Sequence, residues 1–273
     1  MTLAFTPDQH LREVLDSFNE DVDPRLTQVL RSLVTHLHSF VKETALTRQE
    51  WMTGIEFLTA VGQKCDEHRQ EFILLSDTLG VSMLVEMVNQ DQTDGATEPT
   101  VLGPFYVPDA PERLNGESIA PDGSGGKEVV ISGVVRAAAG DPLSGAVLEV
   151  WQVTPDGLYD VQDPSIASMS HRGKYRTDAD GQFAVRTTVP VDYQIPTDGP
   201  VGTMLRATGR EAWRPAHTHF MVSHPGYKTL ITHVFDESST HLTSDAVFGV
   251  RDSLSVDFST GATSFDFVLD PIE

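Results

Sequence analysis

Apolar residues recur at helical spacing through the first ninety positions of this 273-residue chain. Leu11, Val14, Leu15 and Phe18 make one stripe, behind the helix-start signal Thr6-Pro7-Asp8. Leu26, Val29, Leu30, Leu33, Leu37 and Phe40 make a longer one. Thr47-Arg48-Gln49-Glu50 has capping-box spacing and predicts a helix carrying Trp51, Ile55 and Leu58. Residues 70–89, QEFILLSDTLGVSMLVEMVN, are apolar on more than one face and predict one helix packed on two sides.

Beyond residue 95 the period changes. Short β-rich runs follow one another: VVISGVV (129–135), AVLEVWQV (146–153), QFAVRTTV (182–189), THFMVS (218–223) and TLITHVF (229–235). Turn signals such as Ala139-Gly140-Asp141-Pro142 and Asp178-Ala179-Asp180-Gly181 separate them. No helical repeat is legible between the strands. The expected fold class is α+β, mainly β: a helical N-terminal region (1–95), a linker and loop (96–127), and an antiparallel β-sandwich (128–273).

Composition narrows the function. A formal net charge of −21 argues against nucleic acid and anionic membrane surfaces as partners. With one cysteine, Cys65, neither an intramolecular disulfide framework nor a cysteine-based zinc site is possible. The N-terminus lacks the basic start and apolar run of a signal peptide, and no stretch approaches the roughly 20 apolar residues of a membrane span. A cytoplasmic protein is the expectation.

The chemistry centres on RPAHTHF (214–220). Pro215 biases the chain toward an extended entry, and strand alternation puts His217, His219 and Met221 on one face with Thr218 and Phe220 on the other. A second His-x-His, His36 and His38, falls on a helix, where such neighbours diverge by about 200° and cannot share a site. His-x-His alone serves zinc, copper, iron or plain packing. Asp236 or Glu237 from the next hairpin are open as a third ligand of a hydrolase or ferrous oxygenase. A non-enzymatic, transthyretin-like binding sandwich is open too, because VVISGVVRAAAGDPLSGAVLEVW fits both. Two tyrosines stand out on loops: Tyr159 in WQVTPDGLYDVQ and Tyr193 in TVPVDYQIP.

Tyr159, Tyr193 and RPAHTHF together resemble the intradiol ring-cleavage dioxygenases, and the resemblance spans nearly the whole chain. It implies one ferric iron per chain held by Tyr159, Tyr193, His217 and His219, with Arg214 as an active-site arginine. It also implies Tyr193 as the ligand that leaves with a substrate proton, and Tyr159 as the one that stays. TVLGPFYV (100–107), GLYDVQ (157–162) and LITHVFDESSTHLTSDAVFGV (230–250) are similar to the hydroxyquinol 1,2-dioxygenase subgroup. Catechol-specific relatives tend to carry a glutamine where this chain has His233.

The subgroup resemblance implies a substrate pocket lined by Leu74, Asp77, Val101, Leu102, Gly103, Pro104, Phe105, Ile195, Pro196 and Val247. Leu102 departs from it, standing where an aromatic is usual. The implied reaction inserts both atoms of O2 between adjacent hydroxyl-bearing carbons of hydroxyquinol, giving 3-hydroxy-cis,cis-muconate/maleylacetate, with catechol or chlorocatechol cleavage to a cis,cis-muconate as the alternative. A homodimer through the N-terminal helices, with a bound phospholipid between subunits, is also implied. The residue types suit the ion: phenolate oxygen is hard and matches ferric iron, whose charge offsets a tyrosine pKa near 10. Asp77 interrupts an apolar helix, where a carboxylate is costly unless paired, and is expected to face the substrate's third hydroxyl.

Overall fold

Capping side chains set the helix starts. In the computed structural model, which describes residues 5–19, 22–89 and 95–272, Thr6 and Gln9 form a reciprocal capping box at α1 (Pro7–Asp16). Asp23 accepts from the Leu26 N–H at α2 (Pro24–Glu43), and Thr47 and Glu50 cap α3 (Arg48–Lys64) reciprocally. The chain divides into two compact units, residues 1–59 and 60–273. In the first, the stripe residues Leu26, Val29, Leu33, Leu37 and Phe40 remain exposed.

The segment 70–89 is two helices, not the single one its periodicity predicts: α4 (Glu71–Thr78) and α5 (Val81–Asn89). Gly80 takes φ +73, a left-handed conformation that ends α4 at little cost for a residue without Cβ. α4 buries Leu74, Leu75, Asp77 and Thr78 and leaves Phe72 and Ile73 exposed.

Two sheets follow. In the first, β1 (Glu128–Ala137) pairs antiparallel with β4 (Gln182–Thr188) and parallel with β10 (Ala262–Ser264) and β11 (Phe267–Leu269). The second runs in the order β3 (Arg172–Arg176), β2 (Val147–Trp151), β7 (His217–Ser223), β8 (Leu230–Asp236), β9 (Ser255–Val256). A two-stranded ribbon joins β5 (Tyr193–Gln194) to β6 (Trp213–Arg214). Alternating residues of both sheets meet in one core: Val129, Ile131, Val135, Phe183 and Val185 with Leu148, Val150, Phe220, Val222 and Val234.

Two expectations are corrected here. The sheets are mixed rather than wholly antiparallel, since β9, β10 and β11 each pair in parallel. Those short strands return after long connections, as parallel pairing requires, and a two- or three-residue strand carries too little alternation to be read. A helix also interrupts the strands: α6 (Pro200–Ala207) lies between β5 and β6. Its start is held from a distance, because the buried Glu71 carboxylate accepts from the Val201 N–H at 3.2 Å. Nothing near residue 200 in sequence announces that partner.

Candidate metal centre

β7 divides its side chains between two tasks. Phe220 enters the shared core and Thr218 donates to the Gln152 side chain, while His217 and His219 turn to the opposite face. Both histidines are buried. His217 Nδ1 lies 2.6 Å from the Pro215 carbonyl, which makes Nδ1 the protonated nitrogen and Nε2 the lone-pair nitrogen that faces the cluster. That Nε2 sits 3.1 Å from His219 Nε2. Trp151, opposite His219 in the β2–β7 register, stacks on the His219 ring at 4.7 Å and fixes its plane.

The tyrosines arrive from two other directions. Gly157, at φ +79, turns the chain after β2 and leads to Tyr159, whose ring stacks on Phe105 at 4.5 Å. β5 brings Tyr193 opposite Arg214 on β6, and Asp192 anchors this ribbon by accepting from the Ala216 N–H and the Ser239 hydroxyl. Tyr159 and Tyr193 meet edge to face at 5.7 Å, Tyr159 lies 6.3 Å from His219, and Tyr193 lies 5.5 Å from His217, ring centre to ring centre. Four residues from three chain segments thus converge.

Burial keeps the donors of this cluster neutral. Burial, reinforced by the neighbouring Tyr193 phenol, pushes the Tyr159 hydroxyl well above its ordinary pKa, with Arg214 and Arg172 opposing. Tyr193 makes no well-formed hydrogen bond to the Tyr159 hydroxyl, which is buried without a protein partner. Burial and then Arg214 hold His217 well below the usual imidazole range, so the imidazole is neutral and its lone pair available. Orphaned phenol oxygen, two facing imidazole nitrogens and no nearby thiolate make a hard donor set that fits ferric iron.

Arg214 borders the cluster. Its Nη1 lies 3.2 Å from His217 Nε2 and 3.5 Å from the Tyr193 hydroxyl, while Nε and Nη2 reach the Asp245 carboxylate at 3.1 and 3.5 Å. Burial alone would lower the guanidinium pKa, but the Asp245 carboxylate together with the Tyr193 and Tyr159 phenols outweighs it. Asp77 is buried with Oδ1 unpartnered; burial raises its pKa, opposed first by the Ser82 hydroxyl and then by the Arg214 charge.

The other expected pocket residues divide. Gly103 passes the His219 ring closely enough that a Cβ there would lie 3.5 Å from Cε1. Val101 and Val247 pack together with Met83. Leu74 and Ile195 are buried, whereas Leu102, Pro104 and Pro196 are half-buried. Asp236 does not join the histidines: its carboxylate is committed to the Ser238 N–H and hydroxyl, and Glu237 is exposed. The third group beside the pair is His233, directly across from His219 in the β7–β8 register. A ring nitrogen on each of His217, His219 and His233 lies within 4.8 Å of the others, the one such cluster among the described residues. His233 Nδ1 contacts the Thr100 hydroxyl at 2.5 Å. His233 and Asp245 belong to no local motif; strand register brings in the first and a turn the second.

Known proteins match this chain along nearly its whole length. Residues 101–271 match the family model described as dioxygenase, and residues 23–97 match the catechol dioxygenase N terminus. The chain is 49% identical over 271 residues to 6-chlorohydroxyquinol 1,2-dioxygenase of Cupriavidus pinatubonensis, covering 97% of this chain and 98% of the relative. It is 46% identical to hydroxyquinol 1,2-dioxygenase of a Rhizobium species, over 93% of this chain and 86% of that one. The crystal structure of hydroxyquinol 1,2-dioxygenase from Pseudomonas putida superposes with a TM-score of 0.88 at 48% identity, covering 97% of this chain and 99% of the other. With two tyrosines and two histidines gathered beside a buried arginine, and both halves matched, the chain belongs to the intradiol ring-cleavage dioxygenases.

Proposed function

We propose that this protein opens the ring of hydroxyquinol, inserting both atoms of O2 between adjacent hydroxyl-bearing carbons, with one ferric iron per chain held by Tyr159, Tyr193, His217 and His219. The convergence of those four side chains beside Arg214 carries the reading. Bound there, ferric iron would act as a Lewis acid that draws electron density from the deprotonated diol and opens its ring carbon to O2. The protein's own groups divide the remaining work. Tyr193 has Arg214 at 3.5 Å, so its oxygen can take up a substrate proton and stay hydrogen-bonded away from the other ligands. Tyr159, wedged against Phe105 and lying beneath Arg172 at 5.8 Å, has no such second partner and is the ligand that stays. The Arg214 charge, permanent at any working pH, stabilises negative charge as it develops on substrate oxygen.

Leu74, Asp77, Val101, Leu102, Gly103, Pro104, Phe105, Ile195, Pro196 and Val247 are read as the pocket, and Asp77 as the acceptor for the third hydroxyl. The names of the relatives, hydroxyquinol and 6-chlorohydroxyquinol 1,2-dioxygenases, favour the trihydroxylated ring over catechol. The deciding measurement is oxygen uptake with hydroxyquinol, catechol, chlorocatechols and protocatechuate, alongside product spectra. Turnover is expected to be fastest on hydroxyquinol, by a visibly coloured protein, with intradiol product. A colourless, fully metallated and active protein, or an extradiol product, would overturn the reading.

The two sheets around one core are read as a β-sandwich, and the helical unit as a dimerisation region. The exposed Leu26, Val29, Leu33, Leu37 and Phe40 recur at helical spacing on α2, and an exposed apolar stripe of that kind suits a protein contact. A cavity of about 590 Å³ on the same unit, lined by Pro7, His10, His38, Val41, Lys42, Ala45 and Leu46, offers apolar walls and one cation to a phospholipid. Sedimentation is expected to give twice the chain mass of 29.9 kDa, and Leu33→Glu with Leu37→Glu to give one chain mass; a wild-type monomer would refute the dimer. No described helix is long and apolar enough to cross a membrane, and a cytoplasmic location accords with that.

A further inference from the structure

We propose that Asp245 is a positioning residue that aims the Arg214 guanidinium at the reacting oxygens; the proposal rests on reading Arg214 as catalytic. A guanidinium has two edges that can be gripped, and an unheld one rotates among several donors. Here the Nε–Nη2 edge is occupied by the two Asp245 oxygens, leaving Nη1 on the side of His217 Nε2 and the Tyr193 hydroxyl. Both side chains are 3% exposed, so water does not compete for either.

The carboxylate is itself held without slack. Oδ1 accepts from Arg214 Nε and the Val247 N–H, and Oδ2 from Arg214 Nη2 and the Gly249 N–H. Four donors fill the four lone pairs of an ionised carboxylate. Asparagine in the same space would turn one acceptor into a donor pointed at donors. Gly249 completes the clamp, because a Cβ there would lie 3.3 Å from both Arg214 Nη2 and Asp245 Oδ2. Phe248 between them takes φ +60, a left-handed conformation unusual for a bulky residue, which folds the 245–249 turn back so that both N–H groups reach one carboxylate. Val247 in that turn packs on Val101 and Met83, so a proposed pocket wall and the guanidinium share one support.

A buried ion pair is weak evidence of added stability, and this pair is assigned orientation instead. The test is a mutant cycle on iron-loaded full-length protein: Asp245→Asn, Arg214→Gln and the double variant, with kcat and KM for hydroxyquinol from oxygen uptake. Iron content, visible spectrum and melting temperature are measured for each. Asp245→Asn is expected to lower kcat about tenfold, less than the loss of a charge-stabilising group itself, with KM within about threefold of wild type. In the Arg214→Gln background it should change kcat by less than about twofold, since a group acting through Arg214 has nothing left to act on. Gly249→Ala, which presses on the same pair without changing charge, should behave alike and serves if Asp245→Asn does not fold. Full additivity in the double variants, or wild-type kcat in Asp245→Asn, would overturn the proposal. Wild-type kcat in Arg214→Gln alone would instead remove the catalytic reading of Arg214, and this inference with it.

Discussion

Replacing Tyr159 by phenylalanine is expected to weaken the visible band of the iron-loaded protein and to lower ring cleavage by at least about a hundredfold, the scale on which one preorganised charge-stabilising group acts. The substitution keeps the ring, so the stack on Phe105 and the contact with Tyr193 survive and the site keeps its shape. What it removes is a hydroxyl buried in the protein without a hydrogen-bond partner. Burying such a group costs roughly 1–3 kcal/mol. The iron-free variant is therefore expected to melt no lower than iron-free wild type, while the iron-loaded variant melts lower than its wild-type counterpart. That opposite response of the two states separates a metal ligand from a packing tyrosine. Wild-type colour and turnover in Tyr159→Phe would refute Tyr159 as a ligand.

Asp77→Ala is expected to lower kcat/KM for hydroxyquinol by about a hundredfold, matching the upper range of a hydrogen bond to a charged group, and for catechol by less than about threefold. The reason is the position of the carboxylate. α4 buries Asp77 to 2% exposure with Oδ1 unpartnered, and the Ser82 hydroxyl and then the Arg214 charge oppose the effect of burial on its pKa. A buried acceptor lacking a partner is costly and is retained where a ligand supplies the missing donor. Catechol has no third hydroxyl to supply. Asp77→Asn, which keeps an acceptor but loses the charge, should fall between wild type and alanine on hydroxyquinol. Equal losses on the two substrates would assign Asp77 to the fold instead.

Much of the outcome was readable along the chain because it depends on short-range periodicity. The helix starts at Thr6 and Thr47 are local hydrogen-bonding motifs, and each caps the helix its pattern announces. Strand alternation alone puts His217 and His219 on one face and Phe220 on the other, since side chains two apart in a strand point the same way. Gly80 shows where this reading fails: an apolar run on several faces hides a break that a left-handed φ makes two helices.

Tertiary structure decided the rest, for a reason of distance along the chain. His233 joins the histidine pair only because the β7–β8 register sets it across from His219; a slip of one residue would turn it to the other face. Tyr193 faces Arg214 across a ribbon whose strands are separated by α6, and Asp245 reaches that arginine from a turn 31 residues further on. β10 and β11 find β1 from the far end of the chain. By itself the sequence determined which faces are apolar, which side chains share a strand face and which residue types could hold a hard cation. Which of those side chains meet, and which buried atoms are left without partners, followed only from long-range pairing, whose specificity lies in register and packing that no local window contains.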